Sequence, residues 1–92
     1  MLARHLVVRG RVQGVGYRFA MTEVAVSLGV TGWVRNRRDG TVEAVVQGED
    51  ETVERLVSWC RRGPAGAHVT TVAADPLLVD PALNRFSQRS TE

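Results

Sequence analysis

Ninety-two residues, 43% hydrophobic and 24% charged, are enough for one small domain with a thin core, and no apolar run approaches the roughly 20 residues that a membrane span needs. The single cysteine, Cys60, excludes an intrachain disulfide and fits a reducing cytoplasm, and no signal-peptide pattern opens the chain. The net charge is only +2 and all twelve basic side chains are arginine, so chemistry that needs a Schiff-base lysine or a P-loop lysine is excluded.

Leu2 to Arg9 reads as a strand, with His5, Val7 and Arg9 alternating with Leu6, Val8 and Gly10. A glycine-bearing loop follows. Gly14 and Gly16 permit backbone angles that a Cβ would forbid, so several N–H groups can curl toward one point. From Tyr17 to Leu28 the period changes: Tyr17, Met21, Val24 and Leu28 mark one face of a helix, and Gly29 is placed to stop it. Arg18 falls in the first turn of this helix. A cation there opposes the helix dipole by about 0.3–1 kcal/mol unless an anion sits between. The pattern predicts an anion site for a phosphate group, built from loop N–H groups and one guanidinium. The plainer alternative is a tight strand-to-helix connection. The loop is neither a Walker A loop nor a dinucleotide fingerprint, because no Gly-Lys-Ser/Thr follows and Phe19 stands where a third small residue belongs.

Val30 to Asn36 alternates again, with Val30, Gly32 and Val34 on one face and Thr31, Trp33 and Arg35 on the other. Arg37-Arg38-Asp39-Gly40 predicts a hairpin turn, and Thr41 to Gln47 the return strand, with Val42, Ala44 and Val46 on one face. Asn36 has two readings. It is an Asx-type turn residue, or a neutral amide that places a water without titrating. Trp33 is expected to pack, and Arg35, Arg37 and Arg38 to form a solvated positive rim.

The second helix begins among Glu49, Asp50, Glu51 and Glu54 and ends at Arg61 and Arg62, with Gly63-Pro64 as its stop. Val53, Leu56, Val57 and Cys60 form its buried stripe. This helix obeys the dipole rule at both ends, whereas the first does not, and that contrast marks Arg18 as a ligand-binding residue. His68 to Ala74 is a strand that Asp75-Pro76 breaks. Pro76 to Pro81 reads as an apolar loop, Leu83 to Gln88 allows a short last strand centred on Phe86, and Arg89 to Glu92 is expected to be loose. His5 and His68 stand isolated, without metal-ligand spacing. The order β-α-β-β-α-β predicts a ferredoxin-like α+β domain over residues 1–92, an antiparallel sheet with two helices on one face and room for a fifth strand.

Taken together, Gly10-Arg-Val-Gln-Gly-Val-Gly-Tyr-Arg18, Gly32-Trp-Val-Arg-Asn36 and Asp39-Gly-Thr-Val-Glu43 resemble the acylphosphatase signature. Gly48 before the acidic helix start and Arg62-Gly-Pro64 after that helix extend the likeness from about Val7 to Asp75. The resemblance implies the same ferredoxin-like fold. It also implies hydrolysis of the carboxyl–phosphate bond of acyl phosphates to a carboxylate and inorganic phosphate, without metal or cofactor. By that resemblance the backbone of Gln13, Gly14, Val15, Gly16, Tyr17 and Arg18 cradles the phosphoryl oxygens, Arg18 pairs with them bidentately, and Asn36 orients the attacking water. The expected partner is a small-molecule acyl phosphate, with no nucleic acid and no membrane, for a monomer. The sequence departs from the family at its end, where the loop after the fourth strand is apolar and the last strand has one aromatic residue. A non-enzymatic ferredoxin-like module binding RNA or a small anion is the main rival, weakened by the missing aromatics of RNA-recognition strands. A carbamoyl-phosphate-handling relative within a longer protein is the second, and the chain length favours a free-standing enzyme over it.

Overall fold

A computed structural model describes residues 1–92. The elements are β1 (Leu2–Arg11), α1 (Tyr17–Leu28), β2 (Thr31–Asn36), β3 (Val42–Gly48), α2 (Asp50–Arg62), β4 (His68–Pro76) and β5 (Phe86–Gln88). The sheet order is β4-β1-β3-β2-β5. The first four strands pair antiparallel, as a split βαβ arrangement requires, and β5 runs parallel to β2. The sheet is therefore mixed rather than wholly antiparallel. Both helices bury their stripes against one face: Leu6 and Val8, Val34, and Val42, Ala44 and Val46 join Tyr17, Met21 and Ala25 of α1 and Val53, Leu56, Val57 and Cys60 of α2 in one core. The α2 stripe is the one its spacing predicts. In α1 Ala25 is fully buried, and Val24 and Leu28 are only partly so. Burial pushes the Cys60 thiol up to about 12, so this cysteine is a packing residue without thiolate character at neutral pH.

Two features lock α1 to α2. The Tyr17 hydroxyl donates to the Cys60 carbonyl at 2.7 Å. That carbonyl lies in the last turn of α2, and the residue four positions on is Pro64, which has no N–H to offer it. Tyr17 thus supplies the missing donor, and burial raises its phenol far above the ordinary value. The Trp59 ring packs against Tyr17 with centroids 5.4 Å apart.

The chain must cross the sheet to pass from β4 at one edge to β5 at the other. It does so over the face that carries no helix. Leu77 N–H donates to the Ala3 carbonyl, and the buried Gln47 amide grips Asp80 through both its atoms, at 2.9 and 2.7 Å. The apolar segment predicted as a loop is thus a strap across the open face. β4 runs on through Asp75 and Pro76 rather than breaking there, because an edge strand tolerates a residue that cannot donate outward. β1 runs two residues beyond its expected end, past a bulge at Arg9/Gly10. Gly10 has φ +124°, and a Cβ there would collide with the His68 carbonyl.

Three expectations are corrected on the open face and at the terminus. His5 is not isolated: its Nε2 lies 2.6 Å from Glu43 Oε2. The arginine rim is not simply solvated, since Arg35 Nε is 2.7 Å from Glu43 Oε1 and Arg37 3.6 Å from Oε2. Arg35 and Arg89 also stack their guanidinium groups on Trp33, 4.7 and 4.6 Å from its ring centre. The tail is tied rather than loose. Arg89 N–H donates to Val34 C=O, Glu92 N–H to Asn36 C=O, and Arg38 N–H to Glu92 C=O, so the chain continues along the β2 edge beyond β5.

Candidate active site

The loop between β1 and α1 is pinned at both ends by apolar side chains. Val12 is buried at 1% exposure and Tyr17 at 2%, with Val15 packed against the core between them. Gly14 and Gly16 have φ of 74° and 77°, left-handed angles that reverse the chain twice within the loop. Gly16 caps α1 with no side-chain hydrogen bond, and the first helical bond is Ala20 N–H to Gly16 C=O at 3.0 Å. No loop or capping hydrogen bond is donated by the backbone of residues 13–19. The loop and the first turn of α1 therefore hold a run of donors without a loop or capping partner, at the end of a helix whose first turn holds no acidic residue.

The loop borders a hollow of about 130 Å³ lined by Gly14, Gly16, Arg18 and Asn36, and by the exposed residues Phe19 and Gln88. Arg18 is half-buried, and its guanidinium makes neither an ion pair nor a hydrogen bond with the protein. Arg35, Arg37 and Arg55 have carboxylate partners; the remaining arginines, like Arg18, have none, and Arg18 is the one that lines the hollow. Asn36 ends β2. Its backbone is held through the Val42 register and the Glu92 N–H, and its carboxamide has no partner in the protein. The Asx-turn role belongs to Asp39, whose Oδ1 accepts from Thr41 N–H at 2.9 Å and Thr41 Oγ1 at 2.6 Å. The Thr41 hydroxyl, then the Thr41 amide, hold the Asp39 carboxyl below its ordinary value.

The structure thus brings Gly14, Gly16, Arg18 and Asn36 to one hollow, although β1 and β2 are separated in the sheet by β3. Tyr17 contributes to its floor while its hydroxyl turns into the core. The side chains of Gln13 and Val15 turn away from it: Val15 packs on the core, and Gln13 reaches to the β2–β3 hairpin. Sequence reasoning missed Phe19 and Gln88. Phe19 carried a signal, an aromatic residue on the side of α1 away from the Tyr17–Met21 stripe; it is 62% exposed. Gln88 carried none, because its place depends on the parallel pairing of Gln88 with Val34.

A small hollow on this order of elements has relatives among known proteins. The acylphosphatase family model matches residues 4–88. An acylphosphatase of Bordetella parapertussis is 49% identical over 84 residues, covering 91% of this chain and 89% of that protein. One of Thiobacillus denitrificans is 58% identical over 72 residues, covering 78% and 81%. The crystal structure of acylphosphatase from Bacillus subtilis superposes with a TM-score of 0.92 at 32% identity, covering 97% of this chain and 99% of that one. Matched along nearly its whole length in both sequence and fold, the chain belongs to the acylphosphatase family.

Proposed function

We propose that Arg18 and Asn36 carry the reaction of this family in this chain, the hydrolysis of the carboxyl–phosphate bond of an acyl phosphate to a carboxylate and inorganic phosphate. The observation that supports it is the meeting of the Arg18 guanidinium and the Asn36 carboxamide, neither with a partner in the protein, at one hollow beside a loop whose N–H groups donate no loop or capping bond. At about 130 Å³ the hollow is well below the roughly 300–1,000 Å³ of drug-sized pockets, so it suits a phosphoryl group and leaves the acyl part at the rim by Phe19 and Gln88.

In this reading the backbone N–H groups of Gln13, Gly14, Val15, Gly16, Tyr17 and Arg18 donate to the phosphoryl oxygens, and the Arg18 guanidinium pairs with two of them. The dianion then meets the positive end of α1, which offsets the unfavourable position of Arg18. Asn36 donates to and accepts from a water and aims its lone pair at phosphorus, in line with the carboxylate oxygen that leaves. The O–P bond from water forms as the acyl O–P bond breaks, and the proton of the water passes to a phosphoryl oxygen. A carboxylate leaves easily, so positioning and charge stabilisation suffice and no strong general acid is needed. The enzyme acts as a monomeric single domain in the cytoplasm on a small-molecule acyl phosphate.

Phosphate release from benzoyl phosphate tests the assignment. Arg18→Ala is expected to lower kcat/KM by about 10³-fold or more and to weaken inhibition by inorganic phosphate. Asn36→Ala is expected to lower kcat by about 10²-fold with phosphate inhibition nearly unchanged. Full turnover by Arg18→Ala would refute the assignment.

A further inference from the structure

Gln13 belongs to the phosphate loop, yet its side chain leaves the hollow. Its Nε2 donates to the Arg37 carbonyl at 2.7 Å and to the Thr41 carbonyl at 2.9 Å. Both acceptors are carbonyl oxygens, so only the NH2 end of the amide fits between them. The same two carbonyls define the neck of the β2–β3 hairpin, where Arg37 N–H donates to Thr41 C=O at 2.9 Å and Gly40 N–H to Arg37 C=O at 3.1 Å. Arg37 directly follows Asn36. Gln13 therefore fastens the loop to the backbone one residue beyond the carboxamide that faces the hollow.

Its importance follows from the sheet order. The loop extends from β1 and Asn36 ends β2, and β3 lies between them. Strand pairing alone leaves the two sides of the hollow about two strand spacings apart, roughly 9–10 Å, and joined only through β3. Past the Asn36–Val42 pair the ladder ends, and the hairpin neck is held by its own turn bonds, by the Glu92 backbone of the tail on its outer side and by Gln13 on the side of the loop. Among the hydrogen bonds of the structure, the Gln13 pair is the polar link between loop residues 12–16 and the hairpin.

We propose that Gln13 is a positioning residue that sets the separation between the phosphate loop and the Asn36 carboxamide. The proposal rests on the reading of Asn36 as the group that orients water. Phosphoryl groups are gripped from the loop side, so loss of the Gln13 bonds leaves phosphate binding largely intact. Water is aimed from the hairpin side, so the same loss displaces the nucleophile relative to phosphorus. A misplacement near 1 Å is enough to lower a rate by about 10²-fold.

The test uses Gln13→Met, which keeps the length and removes both donors, and Gln13→Asn, which keeps the amide but cannot reach. Each is combined with Asn36→Ala, and all variants are assayed for benzoyl phosphate hydrolysis and for inhibition by inorganic phosphate. Either Gln13 variant is expected to lower kcat about 10–100-fold while the phosphate inhibition constant moves less than about 3-fold. In the Asn36→Ala background the same Gln13 change is expected to lower kcat by no more than about 2-fold, because the two residues act as one unit. Equal kcat losses in both backgrounds would overturn the proposal, as would a weakened phosphate affinity with kcat intact, or an unchanged kcat. Full activity of Asn36→Ala alone would instead overturn the role of Asn36, and the route through which Gln13 acts would fall with it.

Discussion

Glu43 offers a quantitative test of how the open face is held. Its carboxylate is only 8% exposed and touches three basic groups: His5 at 2.6 Å, Arg35 at 2.7 Å and Arg37 at 3.6 Å. Breaking a buried pair by removing one partner costs about 3–5 kcal/mol, because the remaining charge is stranded. Here the partners keep some water, with Arg35 23% and Arg37 41% exposed, so Glu43→Gln is expected to cost about 2 kcal/mol. For a domain of this size that is a fall of about 8–16 °C in Tm, out of a total stability of about 5–14 kcal/mol. Thermal and urea unfolding followed by circular dichroism would read it. Burial by itself would raise the Glu43 carboxyl; the hydrogen bonds from His5 and Arg35, with the Arg35 charge, outweigh it and hold the group below its ordinary value. A depressed folded value means that the unfolded chain takes up the proton first. The stabilisation is therefore complete above the ordinary glutamate value, near 4.3, and disappears as pH falls through the lower folded one. The gap between the native chain and Glu43→Gln should begin to narrow as pH falls below the ordinary glutamate value and keep narrowing as the folded carboxylate itself takes up a proton. Stabilities within about 0.5 kcal/mol of each other at pH 7, or a gap that does not narrow at all as the pH is taken down into the acid range, would refute the reasoning.

Two further outcomes follow from single contacts. Tyr17→Phe leaves the Cys60 carbonyl without a donor in a helix end where Pro64 cannot supply one, and should destabilise by about 1–3 kcal/mol in the same unfolding assay; an unchanged urea midpoint would mean that the carbonyl finds another partner. Phe19→Ala should raise KM for benzoyl phosphate about 3–10-fold and leave acetyl phosphate nearly unaffected, since an exposed ring at the rim can stack only on an acyl group large enough to reach it. Equal effects on both substrates would remove Phe19 from the acyl site.

Much of the scaffold was legible residue by residue. The α2 stripe of Val53, Leu56, Val57 and Cys60 and its charged ends are periodic and local, and they were found where the spacing put them. So were the start of α1 at Tyr17, its stop at Gly29 and the anomaly of Arg18 in a turn without acids. Gly14 and Gly16 announced left-handed backbone, and both have it. The pairing of Asn36 with Arg18 was different: spacing alone left Asn36 open between a turn residue and a water ligand, and only its place within a recognisable two-part motif argued for the second.

What the sequence by itself determined is the set of local devices: the stripes, caps, turns and the glycine loop, all of which act within a turn or two of chain. The tertiary structure alone decided which of these devices meet. It set the strap across the open face, the burial of Glu43 among three basic groups, the Tyr17 hydroxyl on the end of α2, the approach of Gln88 to the hollow and the turning of Gln13 toward the hairpin. The physical reason is range. Hydrophobic period and backbone freedom belong to neighbouring residues, whereas contacts between side chains on different strands depend on strand order and register, which appear only when the whole core closes at once.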